Sequence, residues 1–359
     1  MDYAINVPIN PASFGQASIS ILRELYGRSS EPYLFPIGSV DLSSFREDEG
    51  FSDWISQAIE RGPMHSRDSP SFKLWHIQGS LESVSRNQFL MTFYECNSPT
   101  PAELNIARNN NLILTNKHSQ DVFKSKGIES TVIPLAFDDH SFHETNTKYY
   151  DDDRIVFNLC GKFERRKNHK KIIRAWAKKF GNNKKYYLQC SLWNQFFTEE
   201  DNKNNFISTT EGREYYNIQF LAYMPENSVY NDFLNSSDIV IAMSGGEGWG
   251  LPEFTSVCLG KHAVTLNAHG YKEWANEENS TLIEAKGEYE VYDGIFFKRG
   301  GIYNQGTFQD FDEDDFISGC EEAIKKHENS KVNPAGLKLK KQFNYKNTVD
   351  KILDTLHDM

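Results

Sequence analysis

The chain has no Cys-x-x-Cys pair, and its five cysteines (Cys96, Cys160, Cys190, Cys258 and Cys320) are scattered and odd in number. This argues against a disulfide framework and a cysteine-held zinc centre, and it predicts reduced thiols in a cytoplasmic setting. No apolar run approaches membrane-spanning length, and the opening MDYAINVPIN lacks the basic and apolar regions of a leader peptide. Positive charge is also short: 39 Lys and Arg against 50 Asp and Glu leave a formal net charge of −11. A balance of that sign argues against nucleic acid or anionic lipid as the first partner. No Ser/His/Asp arrangement, Walker loop or metal-spaced His/Cys cluster is found, so neither a metal nor a bound cofactor is expected. What is present is ample core material. Of 359 residues, 38% are hydrophobic and 13% aromatic, enough for two ordinary domains.

The pattern is α/β throughout. Strand-like runs at 3–8, 33–37, 72–77, 88–93, 112–115 and 131–135 alternate with helical spacing at 16–26, 53–61, 101–109 and 120–126. After a polar, acidic stretch the alternation restarts. Strands are expected at 154–160, 186–192, 218–223, 238–243, 263–266 and 281–284, with helices at 168–180, 228–234, 312–327 and 345–356. Such alternation predicts parallel sheets covered on both faces, with ligands beyond the carboxyl ends of their strands. The expected division is a first domain at 1–145, a second at 154–335, and a terminal segment, 336–359, returning to the first. Asp151, Asp152 and Asp153 read as a solvated linker. The polar stretch 194–213 has no assigned role.

Two stretches of the second domain carry chemistry. Ser244-Gly-Gly-Glu-Gly-Trp-Gly-Leu-Pro252 follows a buried-strand pattern and leads into a helix starting near Pro252. Gly245, Gly246, Gly248 and Gly250 allow close backbone approach, and the helix start offers free N–H groups to an anion. Glu247 is the only charged side chain in that turn. Upstream, Gly161-Lys-Phe-Glu-Arg-Arg-Lys167-Asn-His169 places four cations between a strand and a helix, a phosphate-site arrangement. Arg165 and Arg166 read as the more solvated of the four.

The turn Glu247-Gly-Trp-Gly-Leu-Pro252 resembles the donor-site motif of retaining GT-B glycosyltransferases of the family 4-like group 1 type, with Trp249 in place of Phe. Eight residues after Glu247, where that family carries a second glutamate on the ribose, stands Thr255, with Glu253 nearby. Lys162 and Lys167 fall where the family's Arg and Lys bind the donor diphosphate. The resemblance implies two Rossmann-like domains facing each other across a cleft. It implies transfer of a sugar from a UDP- or GDP-type donor to a carbohydrate, lipid-linked or other hydroxyl acceptor, with retention and without metal. Glu247 would hold sugar hydroxyls, and Lys162, Lys167 and the amides of Gly246, Gly248, Trp249, Gly250 and Leu251 the phosphates. Lys167→Ala is expected to lower turnover more than stability.

Further positions follow from the resemblance. Tyr223 and Met224 lie in the turn against the base; Tyr223 either stacks there or is an ordinary loop tyrosine. Gly15 and Gln16 open the first helix, near the phosphates or in a plain helix-entry turn. Glu95 ends a strand, where it receives or orients the acceptor's proton or anchors a loop. Ser119 reads as a helix N-cap, with Lys117 and His118 on the acceptor side, and His76 as a satisfied loop histidine. Two alternatives stand beside this reading. One is a glucosyltransferase acting on hydroxylated DNA bases, which would need a basic stripe on the first domain. The other is a catalytically weak sugar-nucleotide-binding protein, which would bind donor without hydrolysing it.

Overall fold

The computed structural model describes residues 2–150 and 153–357; Asp151 and Asp152 of the acidic triplet lie outside them. The first half builds β1 (Ala4–Val7), α1 (Ser13–Gly27), β2 (Tyr33–Pro36), α2 (Glu49–Arg61), β3 (Ser71–Leu74) and β4 (Gln88–Thr92). It continues through α3 (Pro101–Arg108), β5 (Asn111–Leu114), α4 (Lys117–Lys124) and β6 (Ser130–Val132). These strands form one parallel sheet in the order β2-β1-β3-β4-β5-β6. β3 and β4 are buried along their whole length, as a sheet covered on both faces requires.

The second half runs β7 (Ile155–Cys160), α5 (His169–Phe180), β8 (Tyr186–Ser191), α6 (Glu199–Thr209), β9 (Ile218–Phe220) and α7 (Asn227–Asn235). Then come β10 (Ile239–Ala242), α8 (Leu251–Cys258), β11 (His262–Asn267) and β12 (Thr281–Glu284). The parallel order is β12-β11-β10-β7-β8-β9, the doubly wound dinucleotide-fold order. A hairpin of β13 (Glu288–Glu290) and β14 (Thr307–Gln309) precedes α9 (Glu313–Asn329), α10 (Pro334–Gln342) and α11 (Tyr345–His357).

In each sheet the strand order reverses at one place, between β1 and β3 in the first and between β7 and β10 in the second. Chain leaving the carboxyl ends of two such neighbours diverges, which opens a crevice. Both loops of the second domain that carry the candidate motifs leave from β7 and β10. The crevice therefore exists because of winding order, before any side chain is considered.

Two segments tie the domains together. α11 returns to α1, where Arg28 Nη1 meets Asp350 Oδ1 at 2.6 Å, and Thr348 Oγ1 donates to the Pro134 carbonyl at 3.1 Å. The excursion around β13 and β14 reaches the first domain from the other side. There Asn97 Nδ2 donates to Thr307 Oγ1 at 2.7 Å, and Val291, Phe297 and Phe308 share a core with Tyr94, Cys96 and Ile106. The polar stretch 194–213 contains α6, capped by Thr198 and acidic in its first turn. One correction concerns α4: its cap is Asn116, which accepts from the Ser119 amide at 2.8 Å. Ser119 lies inside the helix, its hydroxyl donating to the Tyr94 carbonyl at 3.1 Å.

Candidate active site

The loop after β7 turns back on itself to meet the loop after β10. Gly161 sits at φ +102°, and a Cβ there would lie 3.1 Å from Lys167 Cε, so the missing side chain makes room for that lysine. Asn168, left-handed at φ 57°, donates from Nδ2 to the Met243 carbonyl at 3.0 Å. The Arg166 carbonyl in turn accepts from the Gly245 amide at 2.7 Å. Two motifs far apart in the chain are thus bonded backbone to backbone.

Between them lies a buried knot of charge. Arg166 reaches Glu247 at 2.7 Å, Glu95 at 2.9 Å and Glu164 at 2.9 Å, and donates to the Gly246 carbonyl at 2.7 Å. Lys167 Nζ lies 2.5 Å from Glu247 and 3.8 Å from Glu253. Burial opposes the charge on Glu247, but Arg166 and Lys167 outweigh it and hold the carboxyl down to about 2. Glu95 moves the other way. Burial, with help from Glu247 and Glu164, raises it to about 7 against the pull of Arg166.

This knot corrects one expectation about the loop. Arg166, read as solvated, is buried and makes the most ion pairs of the four cations. Lys167 is buried too; its removal would take away one of the two cations paired with Glu247 and the cation nearest Glu253, so it is expected to cost stability as well. Glu247 points its carboxylate at these cations rather than at open space.

The glycine turn is filled by protein. A Cβ on Gly246 would lie 2.6 Å from the Glu95 carbonyl oxygen, and one on Gly248 would lie 2.8 Å from Phe93 Cβ. On Gly250, at φ +82°, it would lie 2.3 Å from the Tyr271 ring. The Gly248 carbonyl accepts from Thr115 Oγ1 at 2.6 Å and Asn116 Nδ2 at 2.7 Å. Trp249 is buried against Phe254 and Phe343. Close approach is what the glycines permit; for Gly246 and Gly248 the partner is the segment just after β4 in the other domain, and for Gly250 it is Tyr271. Gly15 is likewise packed, against Asn10.

The open part of the crevice is a cavity of about 230 Å³ beside this knot. Gly161, Lys162, Tyr223, Met224, Leu251 and Thr255 face it from the second domain, and Ser13 and Gln16 from the first. The Gln16 and Asn227 side-chain amides bond each other across it at 3.0 and 3.1 Å. Lys162 is the only Lys or Arg among the described lining residues. Among the described residues, the first domain brings no Lys or Arg to this wall. Lys117 and His118 do not line the cavity; Lys117 pairs with Asp121 at 2.8 Å and its amide donates to Glu273 at 2.9 Å. His76 packs against Phe14 with centroids 4.3 Å apart and planes tilted by 48°. His76 is exposed as a residue, yet crowding by its neighbours and the nearby charge of Lys162 bring its imidazole down to about 4. The sequence signal for His76 was its place after a strand next to the switch point.

No protein-family model and no curated protein matches the chain. Solved structures do. Sucrose-phosphate synthase from Thermosynechococcus elongatus superposes with a TM-score of 0.69 at 10% identity, covering 99% of this chain and 98% of that one. The Anabaena protein HepE, solved with UDP-glucose, gives a TM-score of 0.64 at 14% identity, with 100% of both chains covered. An α,α-trehalose-phosphate synthase (UDP-forming) from Burkholderia vietnamiensis gives 0.65 at 8% identity over 99% of this chain and 96% of that one. With two parallel sheets whose switch points meet at one crevice, and these likenesses along the full chain, the protein has the GT-B glycosyltransferase fold.

Proposed function

We propose that the chain is a glycosyltransferase that moves a sugar from a nucleotide-diphosphate sugar to an acceptor hydroxyl, with retention and without a metal. The observation that carries this reading is Lys162, the one cation on the cavity wall, standing beside Gly161 and the start of α8 at the switch point of the second sheet. An ammonium beside the positive end of a helix forms a site for a diphosphate. HepE was solved with UDP-glucose and with UDP and glucose, which favours a UDP-hexose as the first donor to try.

In the reaction the bond between the anomeric carbon and the phosphate oxygen breaks, and its electron pair leaves with the phosphate. The acceptor oxygen bonds to the same carbon. Its proton passes to the departing phosphate on the front face, as the resemblance implies. Lys162 stabilises the charge that grows on the phosphate. Glu95, bonded to Arg166 at 2.9 Å and 27% exposed at its side chain, orients the acceptor hydroxyl or relays its proton. Lys167, Arg166 and Glu247 keep the two motif loops in register.

The test is a thermal-shift panel of UDP- and GDP-sugars, followed by assay of donor hydrolysis without acceptor. A donor at a hundred times its Kd should add about 2.7 kcal/mol to stability. A donor that binds should also be slowly hydrolysed. Stabilisation by no donor sinks the reading; binding without any hydrolysis or transfer favours the binding-protein alternative.

A further inference from the structure

Two aromatic rings play no part in the site so far. Phe196, in the polar stretch before α6, is 59% exposed, and Phe296, in the excursion between β13 and β14, is 36% exposed. They belong to distant segments, yet meet edge to face with centroids 5.3 Å apart at 73°. The Lys162 ammonium lies over both, 5.0 Å from the Phe196 centroid and 5.5 Å from that of Phe296. Isolated exposed apolar side chains need no explanation. Two that converge from separate excursions on the only Lys or Arg among the described lining residues do.

Lysine carries its charge on a flexible four-carbon stem and gives up much rotamer freedom when fixed. Lys162 is 41% exposed at its side chain, and its one ion pair is with Glu164 at 3.2 Å. A single carboxylate at that distance attracts the ammonium without fixing its direction. Two ring faces add attraction through their quadrupoles and narrow the positions available. They also displace water around the ammonium, which strengthens its field on an incoming phosphate. The ring of Phe296 is itself placed by the other domain. Its excursion is bonded to the first domain, where Thr100 Oγ1 donates to the Ile302 carbonyl at 2.6 Å and the Asn304 amide donates to Glu103 at 2.9 Å.

We propose that Phe196 and Phe296 are positioning residues for Lys162, a pair of rings that hold its ammonium in the pose that receives the donor diphosphate. This rests on the reading of the cleft as a nucleotide-sugar site, and it gives the two unassigned excursions a shared role there.

The experiment is calorimetric titration of wild type, Phe196→Leu, Phe296→Leu and the double variant with UDP, GDP and inorganic pyrophosphate. Leucine keeps apolar bulk and removes the ring face. Each substitution should weaken nucleoside-diphosphate binding about two- to five-fold, with an unchanged melting temperature. Phe296→Tyr should restore the affinity. In a Lys162→Met background the leucine substitutions should have no further effect, because the group they position is gone. Wild-type affinity in both leucine variants overturns the inference, as does an equal loss with and without Lys162. If wild type binds none of the three probes, the donor-site reading itself has failed and takes this proposal with it.

Discussion

Lys162 and Lys167 sit in one loop between the same strand and helix and differ in almost everything else. Lys162 is 41% exposed, has one carboxylate at 3.2 Å and faces the cavity. The Lys167 side chain is 8% exposed, lies under Gly161 and bonds Glu247 at 2.5 Å. Their surroundings assign them different work. A cation taken out of water must have its counter-charges built in, so Lys167, with Arg166, holds the loops after β7 and β10 together. A cation left at the rim keeps part of its charge unspent for a ligand. This basic loop at a strand end is therefore divided into a buried half that sets geometry and an open half that faces the cavity.

The largest effect should come from breaking the buried half. In Arg166→Met, the carboxylates Glu95, Glu164 and Glu247 lose their common partner and two remain largely buried. Removing one member of such a buried set costs about 3–5 kcal/mol, which urea unfolding would report as a lowered midpoint. A cost below about 1 kcal/mol would show that the knot does not hold the loops. Lys162→Ala should invert the outcome. Stability should stay within about 0.5 kcal/mol of wild type, while transfer falls about a hundred- to a thousand-fold, as for loss of one preorganised donor. Should Lys162→Ala unfold the protein, or leave transfer intact, the division between the two lysines would not stand.

Much of this architecture was legible in the sequence because it rests on period and punctuation. The strands 72–77 and 238–243 and the helix 168–180 stand within a few residues of their predicted bounds, since a doubly covered sheet needs apolar runs and its helices need one apolar face. Four elements escaped. α6 carries little amphipathic signal, its apolar contacts resting chiefly on Phe206, which stacks on Phe220 with centroids 4.6 Å apart. The strands β13 and β14 are three residues each, too short for alternation to register. α10 lies between two stronger helical patterns. At the site, spacing located both loops, but side-chain direction is decided by tertiary partners that spacing does not encode. So Arg166 was read as solvated, and the space before Gly246 and Gly248, read as open to a phosphate, is filled by the segment just after β4.

Glu95 belongs to both halves and allows the finest test. Its side chain bonds buried Arg166 at 2.9 Å yet is 27% exposed. Burial, reinforced by Glu247 and Glu164, raises its carboxyl to about 7, whereas in the unfolded chain it titrates in the ordinary glutamate range. Between those two points the folded protein holds a proton that the unfolded chain has released. Stability from this group is therefore fully present on the acid side, falls as pH rises through the window, and levels off above about 7. Glu247, held down to about 2, acts in the opposite sense and only at pH values below that window. Glu95→Gln keeps the shape and removes the titration, so the slope of the urea midpoint against pH should flatten, by on the order of 1 kcal/mol across the window. An identical slope in the variant would mean that Glu95 is ionised throughout and belongs wholly to the buried knot.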